Sequence, residues 1–207
     1  MAVLLSLFVL GGCQSAYYKT WEKFGKYKRD LLRDNVEAAR DDQQKATQQF
    51  KDALTRLREM YGSQGTDLEK TFDKLKADYD RSESRANAVK ARIQKVEQIA
   101  GDLFKEWEEE AKGLSSEKLA SSSRQKLRET RDKYELLHSA MKKAEASMDP
   151  VLRQFKDQVI YLKHNLNAQA IGSLKGETVD IEKEIQRLIK DMNTSIAEAD
   201  SFIKGMQ

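Results

Sequence analysis

Residues 68–107 read "LEKTFDKLKADYDRSESRANAVKARIQKVEQIAGDLFKEW". Within them Leu68, Phe72, Leu75, Tyr79, Ser82, Ala86, Val89, Ile93, Val96, Ala100, Leu103 and Trp107 recur in alternating steps of four and three, and only Ser82 is polar. Steps that average about 3.5 residues keep one stripe of a helix facing a partner in a left-handed supercoil. Thr66 and Glu69 form a capping box that starts this helix. Gly113 is placed to end it.

The pattern extends in both directions. Upstream, Leu32, Val36, Ala39, Gln43, Ala46, Phe50, Ala53, Leu57 and Met60 make a second seam, weakest at Gln43. Gly62-Ser63-Gln64-Gly65 is a turn of the length that joins antiparallel helices. The two helices match at about 65–70 Å, which favours a hairpin. Downstream, a third helix begins at Ser116, with a seam through Tyr134, Leu137, Met141, Ala144, Met148, Val151, Phe155, Val159, Leu162 and Leu166. Asp149-Pro150 could cap a fresh helix, but Pro150 interrupts the letters and not the spacing, which argues for one kinked helix. The next break is Gly172-Ser173-Leu174-Lys175-Gly176, followed by an amphipathic helix on Val179, Ile181, Ile185, Leu188, Met192, Ile196, Ala199 and Ile203. The fold class is all-α: an elongated antiparallel coiled-coil bundle of three or four long helices, over residues 16–61, 66–112, 116–171 and 177–204.

Composition agrees. Of 207 residues, 34% are charged and 39% hydrophobic, with a single proline, which suits long helices that each bury only a stripe. The net charge of +3 is mixed along the chain, without the basic field that displaces counterions from nucleic acid. One cysteine excludes an intrachain disulfide, and His138 and His164 lie far apart without metal-ligand spacing. No glycine-rich phosphate loop follows a strand, and Ser121-Ser122-Ser123 has no marked base nearby. With 34 carboxylates spread over helix faces, a catalytic pair cannot be told from chance. The expectation is a protein that is not an enzyme and holds neither cofactor nor metal.

The amino-terminal run Val3 to Leu10 is too short to span a bilayer, which takes roughly 20 apolar residues. It has the length of a signal-peptide core followed by small residues. Leu10-Gly11-Gly12-Cys13 resembles the lipobox of bacterial lipoproteins, in which small side chains fit a protease groove and the thiol accepts diacylglycerol. That resemblance implies a signal peptide over residues 1–12, a mature chain from 13 to 207, and lipidation at Cys13. Gln14, where an Asp retains lipoproteins on the inner membrane, implies the outer membrane. Met1-Ala2 supplies no basic residue, so the true start is expected upstream.

Two further groups invite a functional reading. His164, Asn165, Asn167 and Gln169 gather imidazole and amide groups before the glycine pair. They suit either recognition of a protein backbone or a glycan, or the closing of helix ends. Gly172 and Gly176 have small-xxx-small spacing, although a turn is the simpler reading. In "AYYKTWEKFGKYKR", Tyr17, Tyr18 and Trp21 alternate with Lys19 and Lys23. These suit a membrane headgroup layer, but the helical phase of Tyr17, Trp21 and Phe24 favours a bundle core with lysine stems outside.

Over essentially the whole mature chain the sequence resembles a family of uncharacterised Gram-negative lipoproteins catalogued as domain of unknown function two-nine-five-nine. "CQSAYY", "KRDLLRDNVEAARD", "LFKEWEEE", "KLRETRDKYE" and, most specifically, "MDPVLRQFKDQVIYLKHNLNAQAIGSL" bear the likeness. It implies an exported, lipid-anchored helical protein and supplies no activity, substrate or catalytic residue. The expected role is a coiled-coil structural or interaction module in the periplasm, held on the inner leaflet of the outer membrane, with an envelope protein or glycan as partner. A peripheral membrane-surface module is the alternative, and an enzyme acting on cell-wall material a third. The seams are compatible with self-association as well as with an intramolecular bundle.

Overall fold

The computed structural model describes residues 12–23, 25–62, 68–165 and 167–206. Among these every regular element is an α-helix: α1 (Gly12–Lys23), α2 (Lys28–Gly62), α3 (Leu68–Gly113), α4 (Glu117–His164) and α5 (Ala168–Gly205). The protein is all-α.

Each of the four long helices packs on two others: α2 on α3 and α5, and α4 on α3 and α5. Polar contacts fix their directions. Down α2 and up α3 run Lys28 with Glu106, Asp42 with Arg92 and Arg56 with Asp78. Lys90 with Asp149 and Glu97 with His138 make α3 and α4 antiparallel. Asp191 with Ser147 does the same for α5 and α4 in company with Phe202 on Tyr134. Arg40 with Asp200 and Arg58 with Glu182 run α2 against α5.

The predicted seams meet along the middle. Leu32, Val36, Phe50 and Leu57 of α2 are buried with Val89, Ile93 and Val96 of α3, Leu137, Met141 and Phe155 of α4, and Ile181, Ile185 and Leu188 of α5. Each fully buried side chain of this size contributes about 1.5–3 kcal/mol. Ser116 caps α4, its hydroxyl accepting the Leu119 N–H at 3.4 Å. α4 runs through Pro150 with Met148 and Val151 both buried, so the seam keeps its register there. Gly113 ends α3 as its spacing predicts. Thr66 and Leu166 lie outside the described residues.

Two boundaries and one seam differ from expectation. The single helix predicted over 16–61 is two. The Gly25 N–H bonds Glu22 O at 2.9 Å and the Lys26 N–H bonds Trp21 O at 3.0 Å, a Schellman closure that needs the positive φ of Gly25 (74°). Asp30 then reaches back to the Tyr27 N–H at 3.2 Å and starts α2. Second, the third predicted helix stops at His164 rather than 171. The break expected at Gly172–Gly176 falls at Asn165–Asn167, and both glycines lie inside α5. A helical glycine costs only about 1 kcal/mol, less than burying Leu174 and Ile181 returns. Third, the α5 seam is shifted in places. Ser195 and Phe202 are buried where Ile196 and Ile203 are half-buried, and Val179, read as core, is exposed.

One layer of the core is polar. Arg40–Asp200 and a Thr47 hydroxyl 3.2 Å from the Met192 sulfur bracket a level of the α2–α5 pair that contains Gln43 and Ser195. Both are fully buried. Neither the Gln43 amide nor the Ser195 hydroxyl has a protein hydrogen-bond partner.

Candidate functional site

The α4–α5 corner is built by asparagine. Asn165 adopts φ −134° and ψ 56°, donates its N–H to Leu162 O at 3.2 Å, and turns its amide Nδ2 onto Tyr161 O at 2.9 Å. Asn167 then donates its N–H to Asn165 O at 2.9 Å. These bonds satisfy carbonyls that the end of α4 would leave bare. Of the four side chains the sequence singled out, Asn165 therefore closes the helix, while His164 and Asn167 are exposed. Gln169 is in the first turn of α5, its side chain outside the described residues. Sequence reasoning missed the apolar members of this corner. Ile160 and Tyr161 are exposed just before it, and Ile160 shares a helix face with His164. The signal was available: Ile160 and Tyr161 fall off the Phe155–Val159–Leu162 seam. A Cβ on Gly172 would meet nothing within 4 Å, so the small-residue spacing corresponds to no close helix contact there.

The second group lies on α1, which the Gly25 turn folds back onto α3. Tyr18 is 6% exposed, its hydroxyl 2.5 Å from Asp102, with Lys28 Nζ 4.7 Å from its ring centroid. Lys95 Nζ stands 4.4 Å from the Tyr17 ring, and Tyr17 in turn meets Trp21 edge-on at 6.3 Å. Tyr18 is buried in the core, Tyr17 and Trp21 are half-buried against it, and Lys19 and Lys23 are exposed. Cys13 is in the first turn of α1, with its side chain outside the described residues.

Elsewhere, His138 Nε2 lies 2.8 Å from Glu97 Oε1, with Lys142 Nζ 3.6 Å from the same oxygen. The imidazole stacks on Tyr134 at 5.6 Å. Burial, helped by Glu97 and Glu135, pushes the Tyr134 phenol far above its ordinary range. The arrangement ties α3 to α4. Ser123 is likewise engaged, accepting the Trp107 indole N–H at 2.9 Å. Among the described residues no three His, Cys, Asp or Glu side chains converge as a metal site, and no helix is long and apolar enough to cross a membrane.

No curated protein matches the chain. A family model does, over residues 17–206, which takes in all four long helices and the aromatic half of α1. The chain belongs to that family, DUF2959, proteins of unknown function.

Proposed function

We propose that this protein is a lipid-anchored envelope protein, tethered through Cys13 and serving as an elongated coiled-coil structural or interaction module in the periplasm. The observation that carries the reading is the succession of two features. An apolar leader ending in Leu10-Gly11-Gly12-Cys13, with the chain's one thiol, runs into a body of long antiparallel helices. Each attached acyl chain contributes about 0.8 kcal/mol per buried CH₂, so more than one chain holds a protein stably. The charged outer faces suit a water-filled compartment, and the seams suit a supercoiled rod. The corner around His164, with Ile160 and Tyr161 exposed beside amide groups, offers a surface for an envelope protein.

The test is metabolic labelling with a fatty-acid analogue in a Gram-negative host. The natural chain incorporates label and fractionates with the outer membrane. Cys13→Ser abolishes the label and releases a helical, soluble protein. Label that survives the substitution overturns the reading.

A further inference from the structure

Outside the groups already described, one flank of α3 carries a basic stripe. Arg81, Arg85, Arg92 and Lys95 recur at steps of four, seven and three, on one face over about 21 Å. Only small residues, Ser84 and Ala88, separate them on that face, and both are exposed. The carboxylates that reach the stripe are outnumbered. Asp42 is shared by Arg92 at 3.3 Å and Lys45 at 3.9 Å. Asp78, itself buried, is shared by Arg56 and Arg81, each at 2.5 Å. Arg85 is exposed and has no acidic partner among the described residues. Mixed charge is the rule on the other flanks, where Lys90 meets Asp149 and Arg40 meets Asp41 and Asp200.

α1 leads to the same flank. Tyr18 reaches Asp102 and Tyr17 lies under Lys95, while Glu22 shares a cleft with Lys105 and Glu109. α1 therefore runs parallel to α3, and its start lies toward Lys95 and Arg92. Cys13 precedes Tyr18 by about 7.5 Å of helix. A tether at that position leaves from the side of the bundle beside the stripe, well back from the end of α3 at Gly113.

We infer that the Arg81–Lys95 stripe of α3 is a docking surface for the anionic headgroups of a phospholipid bilayer, on which the bundle lies lengthwise, the acidic cleft between α1 and α3 staying outside the contact. The side from which the tether leaves rests on the anchor reading, whereas the stripe is independent of it. Basic side chains near an anionic surface each contribute enough to change affinity about fivefold, and salt screens the effect.

The experiment uses the chain from residue 13 onward with Cys13→Ser, so that acylation plays no part, and vesicles of phosphatidylcholine with or without phosphatidylglycerol. Co-sedimentation is expected only with phosphatidylglycerol and is lost in high salt. Arg85→Gln with Lys95→Gln weakens it about 25-fold. The pair Arg153→Gln with Lys156→Gln, equal in charge but on the α3–α4 flank, weakens it less than about threefold. Circular dichroism checks that both pairs fold, and Arg85→Gln alone, on an exposed side chain, serves if the first pair does not. Equal loss in both pairs, equal binding to phosphatidylcholine alone, or displacement only by a nucleic-acid polyanion overturns the inference. Failure of acyl labelling removes the tether and leaves this result standing.

Discussion

Arg56 grips the carboxylate of Asp78 with two hydrogen bonds, 2.6 Å from Nε and 2.5 Å from Nη2, across the α2–α3 pair. Asp78 is 2% exposed, so its charge is sustained by guanidinium groups rather than by water. Removing a partner of a buried charge costs more than the pair gains. Arg56→Met is expected to lower stability by about 2 kcal/mol, moderated by the Arg81 contact that remains. The double variant Arg56→Met/Asp78→Leu should recover most of that loss, and urea unfolding of the four chains of the cycle measures it. A double variant as unstable as the single one would count against the account.

Asp191 stabilises the fold as a carboxylate and loses that contribution in acid. Burial pushes its carboxyl up, but the Ser147 hydroxyl at 2.6 Å and the Lys143 ammonium at 3.0 Å together outweigh this and hold it below the ordinary value. A carboxyl depressed in the folded state stabilises fully above its unfolded value. That contribution is lost as pH falls through the folded one. Asp34 follows the same sign through its Lys26 hydrogen bond. Stability is therefore expected to decline between about pH 5 and pH 2. Ser147→Ala should flatten the decline, read as urea midpoint against pH. An unchanged slope would remove Asp191 from the account.

The polar layer gives the opposite sign. Gln43 and Ser195 are buried without protein partners. A buried amide so placed costs about 1–3 kcal/mol. Gln43→Leu, which fills the same layer with an apolar side chain, should raise stability by about 1–2 kcal/mol and the Tm by several degrees in calorimetry. A lower Tm would mean that the layer is satisfied by other means.

Gly25 decides whether α1 docks. Its φ of 74° is a region that costs other residues about 1–2 kcal/mol, although its surroundings leave room for a methyl group. Gly25→Ala should leave global unfolding nearly unchanged and lower amide protection in α1 by about 5–30-fold in hydrogen exchange. Loss of protection throughout α3 as well would show that α1 supports the bundle rather than resting on it.

Much of this fold is legible in the letters, because periodicity is a direct image of burial. Val89, Ile93, Val96 and Ala100 were read as core from spacing alone, and all are buried. What the letters hide is local backbone chemistry. The Tyr17–Trp21–Phe24 phase continues toward Leu31, so nothing in the apolar pattern marks the reversal at Gly25. The glycine pair 172/176 drew the break away from Asn165, whose side chain closes α4 by a hydrogen bond that hydropathy does not register. The candidate sites were less legible still. The Arg81–Lys95 stripe is hidden in a chain with 37 basic residues, and becomes distinct only when partners are assigned pair by pair.

The contact between Arg40 and Asp200 joins residues 160 positions apart. α2 precedes in the chain the helix that covers its second side, and without the last forty or so residues Thr47, which meets Met192, would face solvent. A chain cut short before α5 would thus present a long apolar trough along α2 and α4, the two helices that α5 covers.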